Sequence, residues 1–280
     1  MQEELVKGEY RHSHYTSFTI YDPKKRHISK ACVKDRVIHQ ALVNIIEPIF
    51  ERRFIFDSFS CRKGKGIHGA SKRLHTLLRR VSKNNTRTIY ALKCDIKKFF
   101  DSVDHKILFK LLRRRIDDAE TENLLLNIIN SFSKTTGKGL PIGNLTSQLF
   151  ANIYMHELDY FVKQILKEKY YIRYCDDFII LSSCRKHLFE ILAAINNFLK
   201  MCLAIEIHPK KISIKSWGQG IDFVGFVHMP HCVVLRPKTK KRVLHRVEQR
   251  NLASYLGLCI HANTFELQQI VLTKAANVFD

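Results

Sequence analysis

The sequence predicts an α+β fold, and three observations lead to this class. Apolar residues recur at helical spacing through 33–46, which predicts a long amphipathic helix. Residues 88–96 form a nearly continuous apolar run, as a buried strand does. The segment 170–181 places two runs rich in Tyr and Ile on either side of an Asp-Asp pair. Such a pattern predicts two strands joined by a tight turn.

The remaining elements follow from the same patterns. Residues 1–32 look irregular and basic, and "SCRKGKGIHGASKRL" predicts a Gly-rich basic loop that leads into a helix. Further helices are predicted near 107–114, 122–132, 145–166, 187–199, 236–257 and 264–279. Further strands are predicted near 205–214, 223–227 and 233–235.

The charge of the chain favours a polyanionic partner. Its 280 residues carry 47 Lys and Arg against 26 Asp and Glu, which gives a formal net charge of +21. An excess of this size is typical of proteins that bind nucleic acid, although a generically basic surface gives the same total. With 45% hydrophobic residues, the chain is globular and not a disordered tail.

Cysteine and histidine usage excludes several other classes. The eight cysteines contain no C-x-x-C, and the 14 histidines form no H-E-x-x-H, so a zinc ribbon or zinc protease is not indicated. The N-terminus lacks the apolar region of a signal peptide, and no run approaches the roughly 18 apolar residues of a membrane span. We therefore expect a protein of the reducing cytoplasm with no membrane partner.

Three acidic side chains converge if the strand that ends at Asp95 lies beside the predicted hairpin. Asp95 precedes Asp176 by 81 residues (176 minus 95), and Asp177 follows directly. Neighbours in a strand point to opposite faces, so only a turn aims both members of the pair at one region. Two carboxylates about 4 Å apart repel by ~4 kcal/mol at an effective dielectric near 20.

Divalent cations remove this repulsion. Mg²⁺ prefers carboxylate oxygens together with substrate phosphates. Two such ions about 3.5–4 Å apart can activate a 3′-hydroxyl and stabilise leaving pyrophosphate, which is nucleotidyl transfer. The alternative for the Asp-Asp pair is a solvated turn, because Asp is common in turns.

Several stretches resemble, in the family's order, the motifs of reverse transcriptases. They are "RHISKACVKDRVIHQALVNIIEPIFERRF" (26–54), "FSCRKGKGIHGA" (59–70), "KCDIKKFFDSVDH" (93–105), "YCDD" (174–177), "HPKKISI" (208–214) and "FVGF" (223–226). The resemblance covers most of the chain. It implies a right-hand polymerase fold with fingers at 1–90, a palm at 91–230 made of an antiparallel sheet backed by helices, and a short helical thumb at 231–280. The implied activity is RNA-directed DNA synthesis.

One departure from the usual pattern points to a subtype. Most bacterial relatives carry Q-G-x-x-x-S-P, whereas this chain reads "IGNLTSQ" at 142–148. This variant, and "ASYLGLCIHAN" at 253–263, resemble the bacterial or phage-encoded reverse transcriptases of diversity-generating retroelements. That family copies a template RNA with frequent errors at adenines, and a small basic accessory protein assists it. The resemblance is also to group II intron and retron enzymes, and a retron or phage-defence enzyme is the alternative, followed by a non-catalytic RNA-binding module.

The resemblance also implies roles for individual residues. It assigns two Mg²⁺ ions, with Mn²⁺ as a substitute, to the carboxylates of Asp95, Asp176 and Asp177 and the carbonyl of Ile96. Lys211 matches a lysine that protonates leaving pyrophosphate, or it is only surface charge. Arg26 matches the fingers arginine that grips the triphosphate of the incoming deoxynucleotide. Lys24 assists it or holds template backbone instead.

The same resemblance defines a nucleotide pocket. Phe100 lies under the incoming sugar, where a bulky ring leaves no room for a 2′-hydroxyl. Phe99 is its core-facing neighbour, unless the two roles are exchanged. Ile142 and Gly143 lie against the nascent base pair, or Ile142 only packs in the core.

Contacts with template RNA and nascent cDNA are expected from three regions. These are the Gly-rich loop, a primer grip at 223–226 and a basic tail that tracks the duplex backbone. Their residues are Arg62, Lys63, Lys65, Phe223, Gly225, Lys238, Lys240, Lys241, Arg242 and Arg246.

Overall fold

The computed structural model describes residues 2–21 and 25–276 as an α+β protein. Its α-helices are α1 (Gln2–Val6), α2 (Val33–Glu51), α3 (Ile67–Val81), α4 (Phe99–Ser102), α5 (His105–Arg113), α6 (Ala119–Asn130), α7 (Leu145–Tyr160), α8 (Arg185–Leu203), α9 (Pro237–Arg246), α10 (Leu252–Cys259) and α11 (Phe265–Ala276). Its strands are β1 (Thr16–Ile20), β2 (Arg26–Lys30), β3 (Tyr90–Asp95), β4 (Tyr171–Tyr174), β5 (Asp177–Ser182), β6 (Ser213–Ser216), β7 (Ile221–Phe223), β8 (Phe226–His228) and β9 (Val233–Leu235). None of these helices is long and apolar enough to cross a membrane.

A four-stranded antiparallel sheet forms the centre of the molecule. Its strand order is β4-β5-β3-β6, so the two strands of the predicted hairpin and the predicted buried strand lie side by side. Both predictions for this region are confirmed. The hairpin places β5 between β4 and β3, which brings its turn to the end of β3.

Helices cover both faces of this sheet. Leu92 and Phe178 pack in the larger core, which includes α2, α5, α6, α7 and α8. Their neighbours Ala91 and Ile179 point the other way, into a second core beneath α3. Burial on both faces explains the nearly continuous apolar runs of β3 and β5. Each fully buried aliphatic or aromatic side chain contributes about 1.5–3 kcal/mol of transfer free energy.

The predicted helices are present with shifted ends. The long segment predicted over 145–166 forms α7 and then one π-helical turn at Phe161–Ile165. The basic tail predicted as one helix is divided into α9, a short 3₁₀ turn and α10. The end of the last predicted helix, 277–279, lies outside the described residues.

The expectation that residues 1–32 are irregular is wrong. This region contains α1 and the antiparallel hairpin β1–β2. The backbone of Ser29 in β2 donates to the carbonyl of Ile142 at 3.0 Å, and the Asn144 side chain bonds the backbone of Ser29 and Ala31. The hairpin is therefore attached to the segment that precedes α7. Polar, alternating residues with little burial give such a hairpin a weak sequence signal.

Two of the later strand predictions are also wrong. Within 205–214, the structure has only an isolated bridge at Ile207 and a 3₁₀ turn at Pro209–Lys211 before β6 begins. The predicted strand 223–227 is interrupted by a two-residue turn between β7 and β8, where Val224 and Gly225 have φ of 45° and 94°. A β-branched residue rarely adopts positive φ, so Val224 conceals this turn in the sequence.

A third core packs β8 and β9 against α9, α10 and α11. β8 ends before residue 230 and β9 begins after it, and the two strands pair with each other. The domain limits at 90 and 230 stay predictions.

Candidate active site

The central sheet brings the three predicted acids to one edge. Asp95, the last residue of β3, is paired in register with Asp177, the first residue of β5. Asp176 occupies the turn between β4 and β5, and its carbonyl accepts a hydrogen bond from the backbone of Ile96 at 3.2 Å. The 81-residue separation in sequence therefore becomes a direct strand pairing in the fold.

Two lysines stand against these carboxylates. Lys211 donates from Nζ to Oδ1 of Asp95 at 2.6 Å. Nζ of Lys93 lies 3.2 Å from Oδ2 of Asp177 and also donates to the carbonyl of Asp222 at 2.7 Å. Each lysine offsets one negative charge, so the site is balanced in part by groups of the protein.

The protein environment disfavours the ionised forms of Asp176 and Asp177. Burial raises the pKa of Asp177 to about 6, against the lowering effect of Lys93. Burial also raises the pKa of Asp176, and the charge of Asp95 adds to that rise. Oδ1 of Asp177 is inaccessible and has no hydrogen-bond partner. An orphaned carboxylate oxygen costs free energy unless another ligand reaches it.

This donor set fits a hard divalent cation. Mg²⁺ takes carboxylate and carbonyl oxygens, and its charge favours the ionised carboxylates that burial and mutual repulsion disfavour here. Asp95, Asp176, Asp177 and the Ile96 carbonyl could supply those oxygens. Among the described residues, however, no three His, Cys, Asp or Glu side chains stand at metal-ligand spacing, and Asp95 and Asp177 each pair with a lysine instead.

A buried ion pair lies directly beneath the acidic turn. Arg173, in β4, donates from Nε and Nη2 to both carboxylate oxygens of Asp159, at 2.7 and 2.6 Å, and both side chains are 0% exposed. Tyr171 donates to the same carboxylate at 2.7 Å. This bidentate geometry satisfies both oxygens of the acid.

The remaining guanidinium donors of Arg173 tie neighbouring segments together. Nη1 donates to the carbonyl of Cys175 at 2.9 Å and to Asn152 at 3.3 Å, while Nη2 also reaches Oγ of Ser58 at 3.0 Å. The Cys175 carbonyl belongs to the turn that carries Asp176. One buried cation therefore links α7, the loop before α3 and the backbone of the acidic turn.

This network and the lysine partner of Asp177 were not predicted from the sequence. Arg173 and Lys93 both occur inside apolar strand runs, where a charged residue is rarely buried without a partner. A charged residue within an apolar strand run is therefore the sequence signal that indicates a buried partner. The partners Asp159 and Asp222 could not be assigned because they lie on other elements.

Of the residues predicted to form a nucleotide pocket, Ile142 and Gly143 lie against strand β2. Phe99 is buried, and Phe100 is half-buried with its ring 5.5 Å from that of Phe99. Ile142 is half-buried and Gly143 is exposed, with φ +116°. A Cβ on Gly143 would lie 2.9 Å from Cγ2 of Ile28 in β2, so glycine permits the close approach of the hairpin.

The two predicted triphosphate contacts have different outcomes. Arg26 is exposed at the first position of β2, paired in register with Ile20. Its role stays a prediction. Lys24 lies outside the described residues.

The Gly-rich loop uses two of its three predicted contact residues internally. The guanidinium of Arg62 bonds the carboxylate of Glu51 and the carbonyls of Ile55 and Ser58 at 2.6–3.0 Å. Lys65 donates to a backbone carbonyl and lies 3.6 Å from the centre of a neighbouring aromatic ring. Lys63 is 94% exposed, and its Nζ lies 3.9 Å from Oε2 of Glu47, a weak surface pair. A phosphate could displace this pair at low cost, whereas Arg62 would have to release its partners.

The predicted primer grip and tail residues lie beyond the central sheet. Phe223 is fully buried, and Gly225 forms the positive-φ turn between β7 and β8. The five basic tail residues are all on α9, a helix with a single fully buried side chain: Lys238, Lys240, Lys241, Arg242 and Arg246. Their nucleic-acid contacts stay predictions.

A central antiparallel sheet with acids at the end of β3 and in the β4–β5 turn, covered by helices, is the architecture that the sequence predicts for the palm of a nucleic-acid polymerase. Comparison with known proteins makes this more specific. Residues 21–228 match the family described as reverse transcriptase (RNA-dependent DNA polymerase), and the chain belongs to this family. The predicted class of enzyme, an RNA-directed DNA polymerase, is thereby confirmed.

Related proteins share parts of this sequence. Protein YkfC of Escherichia coli K12 is 25% identical over a 271-residue alignment that covers 80% of this chain and 69% of YkfC. The group II intron-encoded protein LtrA of Lactococcus lactis subsp. cremoris is 31% identical over 151 residues, which are 51% of this chain and 24% of LtrA.

Solved structures share the fold. The telomerase of Candida albicans, in complex with the TWJ fragment of telomeric RNA, has a TM-score of 0.61 at 12% identity, covering 100% of this chain and 56% of that one. Apo telomerase of Candida tropicalis has a TM-score of 0.59 over 94% of this chain and 57% of that one. The predicted right-hand polymerase fold is confirmed. This chain spans little more than half of those telomerase chains and about a quarter of LtrA.

The buried ion pair gives a prediction about stability. Asp159→Asn keeps the shape of the side chain but leaves Arg173 as an unpaired buried cation, so the free energy of unfolding should fall by about 3–5 kcal/mol. Primer extension should fall with it, because the turn loses its anchor. Urea denaturation measures the first effect.

Glu157→Gln is the matched control for this variant. Glu157 lies on the same helix, and its partner Arg114, at 2.9 Å, is half exposed. Breaking this surface pair should change the free energy of unfolding by no more than about 1 kcal/mol. Equal effects of the two substitutions would contradict the anchoring role of Asp159.

Proposed function

We propose that this chain synthesises DNA on an RNA template by nucleotidyl transfer with two Mg²⁺ ions, Mn²⁺ being a substitute. The observation that carries this proposal is the pairing of Asp95 with Asp177 beside Asp176, with one carboxylate oxygen buried and unpartnered. Family membership supplies the reaction class. When bound, the two ions would activate a primer 3′-hydroxyl and stabilise the charge that develops on pyrophosphate.

The protein's own contribution is to hold the acids and to manage charge around them. Asp95, Asp176, Asp177 and the Ile96 carbonyl hold the cations. Lys211, now 2.6 Å from Asp95, would lose part of that attraction once cations are bound. Its ammonium group would then be available to donate a proton to leaving pyrophosphate.

We assign the incoming deoxynucleoside triphosphate to the space between the β1–β2 hairpin and the sheet. Arg26 and Lys24 would bind the triphosphate, as the charge of that hairpin favours. The half-buried ring of Phe100 would exclude a 2′-hydroxyl, while the buried Phe99 supports it from the core. Ile142 and Gly143 would contact the nascent base pair.

We assign the template RNA and the growing cDNA to the basic surfaces. Lys63 in the Gly-rich loop and the basic side chains of α9 suit sequence-independent contacts with phosphates. The turn at Val224 and Gly225 would contact the primer. A net charge of +21 supports a polyanionic partner of this kind.

We further propose that the enzyme belongs to a diversity-generating retroelement and makes adenine-mutagenised cDNA. The support is the "IGNLTSQ" segment, whose first residue has a side chain with no hydrogen-bond donor or acceptor. A small basic accessory protein is part of this proposal. A retron or phage-defence enzyme would share the chemistry, and a neighbouring template repeat in the genome separates the two. Retention of all three acids argues against a non-catalytic RNA-binding module.

The metal-site proposal predicts a selective loss of activity. Asp176→Asn should reduce primer extension on RNA with Mg²⁺ by roughly 10²–10³-fold or more, because it removes a charge from the cation site. The melting temperature should stay the same or rise, since burial disfavours the ionised form of Asp176.

Asp101→Asn is the control, because Asp101 follows Asp95 closely but lies in α4, outside the acidic edge. This variant should extend primers normally. Near-normal extension by Asp176→Asn, or an equal loss in both variants, would contradict the assignment of the metal site.

The subtype proposal predicts a change in fidelity. Ile142→Gln adds a hydrogen-bonding group beside the template nucleotide, worth on the order of 1 kcal/mol or several-fold in discrimination. Misincorporation opposite template adenine should therefore fall more than opposite the other bases, and polymerisation should be retained. Sequencing cDNA made from one defined RNA measures this effect.

Ile165→Gln controls for the substitution itself, because Ile165 is exposed in the π-helical turn after α7. Its error spectrum should equal that of the unmodified enzyme. An unchanged spectrum in an active Ile142→Gln variant would show that this position does not control fidelity.

A further inference from the structure

The solvent face of α2 carries an apolar stripe that no other described element covers. The stripe consists of Val33, Val37, Ala41, Ile45 and Ile49, each four residues from the next and each exposed, with Ile45 70% exposed. Residues four apart are offset by about 40° around a helix, so the five side chains form one ridge about 24 Å long that is inclined to the helix axis. Ridges of this kind pack into the grooves of other helices, and an exposed apolar ridge of this length is typical of an interaction surface.

The stripe borders a deep groove between α2, α6 and the N-terminal segment. The groove has a volume of about 1040 Å³, and Ala41, Ile45 and Leu124 contribute to its lining. The α6 wall combines the polar side chains of Asn123 and Asn127 with the apolar side chains of Leu124 and Leu126. A ridge beside a groove of this size matches the way an amphipathic helix docks.

The groove is held open by a buried hydrogen-bond network. Asp35 in α2 is fully buried and accepts from the Tyr10 hydroxyl at 2.8 Å and from the backbone of Ser13 at 3.1 Å. On the other side, Asn127 of α6 donates to the Tyr10 carbonyl and accepts from the backbone of His12. Both walls are therefore fixed before any partner binds, which lowers the entropic cost of docking.

One end of the stripe is strongly basic. Arg52, Arg53 and Arg115 surround a concavity of about 580 Å³ whose floor is Pro48 and Ile49, the last residue of the stripe. All three arginines are exposed, and none has a hydrogen bond or ion pair with another described side chain. Three unpaired guanidinium groups favour carboxylates on whatever covers the stripe.

The other charges near the groove fit the same pattern. Arg36 stands exposed beside Val37 at the opposite end. The acidic side chains on the wall are Asp118 and Glu120, and Asp118 is used to cap α6 through the backbone of Thr121. The strongest concentration of unpaired basic groups is therefore at the Ile49 end of the ridge, and Arg36 adds one basic group near the Val33 end.

We infer that the α2 stripe is the docking site for an amphipathic helix of a partner protein, with carboxylates at the end that meets Arg52, Arg53 and Arg115. A second copy of this chain suits the surface poorly, because it would bring another +21 charge and another basic cup against the first. Nucleic acid would leave the apolar ridge uncovered. The inference does not depend on the type of reverse transcriptase.

Synthetic helical peptides test this inference directly on the full-length chain. Three 18-residue peptides would share one leucine ridge and carry four glutamates at the N-terminus, four glutamates at the C-terminus, or four lysines in place of the glutamates. Fluorescence anisotropy measures their binding. At least one glutamate peptide should bind more tightly than its lysine counterpart by roughly tenfold.

Two variants locate the binding site. Ile45→Asp should weaken the glutamate peptide by roughly tenfold or more, whereas Met201→Asp, which places the same charge at an exposed apolar residue of α8, should not. The double variant Arg52→Glu with Arg53→Glu should reverse the preference toward the lysine peptide. Primer extension should be unchanged in Ile45→Asp, which lies outside the acidic edge.

Three results would overturn the inference. The first is equal binding of the glutamate and lysine peptides. The second is concentration-dependent self-association of the unmodified chain that Ile45→Asp abolishes, which would assign the stripe to a second copy. The third is complete displacement of the peptide by single-stranded RNA in the unmodified chain and in Met201→Asp alike, which would assign the face to nucleic acid.

Discussion

The arrangement of the candidate active site depends on one buried ion pair. Arg173 and Asp159 are both withdrawn from water, and their two short hydrogen bonds are supported by Tyr171, Asn152 and Ser58. A buried pair of this kind adds little net stability compared with an apolar pair, but breaking it is costly. Its effect here is to position the acidic turn, because Nη1 of Arg173 donates a hydrogen bond to the Cys175 carbonyl in that turn.

The central sheet positions the rest of the site relative to this ion pair. The turn between β4 and β5 is held from below by Arg173 and from the side by the hydrogen bond between Asp176 and Ile96. The register of β3 and β5 then places Asp95 opposite Asp177. Three carboxylates are thus brought together at a partly buried edge of the sheet. Lys93 and Lys211 balance only part of their negative charge. The raised pKa of Asp177 reflects mainly its burial, to which the charges of Asp95 and Asp176 add, and a bound divalent cation would favour the ionised form.

Much of this could be predicted from the sequence because the signals were local. Nearly continuous apolar runs identified the buried strands, helical spacing identified α2, α7 and α8, and the two acidic positions identified the edge of the sheet. The predicted strand over 205–214 failed because its apolar alternation was matched by only one bridge partner. The turn at Val224 was missed because its conformation contradicts the usual preference of valine. Partners that lie far apart in sequence, such as Arg173 with Asp159, could not be assigned without the fold.

Direct binding of Mn²⁺ tests whether the three acids form one cation site. Mn²⁺ can replace Mg²⁺ and is detected by electron paramagnetic resonance, with a primer that lacks a 3′-hydroxyl to prevent turnover. We expect the unmodified chain to bind Mn²⁺ in the presence of primer–template. Asp177→Asn should lose this binding, whereas Asp101→Asn should retain it. Equal Mn²⁺ binding by the unmodified chain and Asp177→Asn would contradict the account.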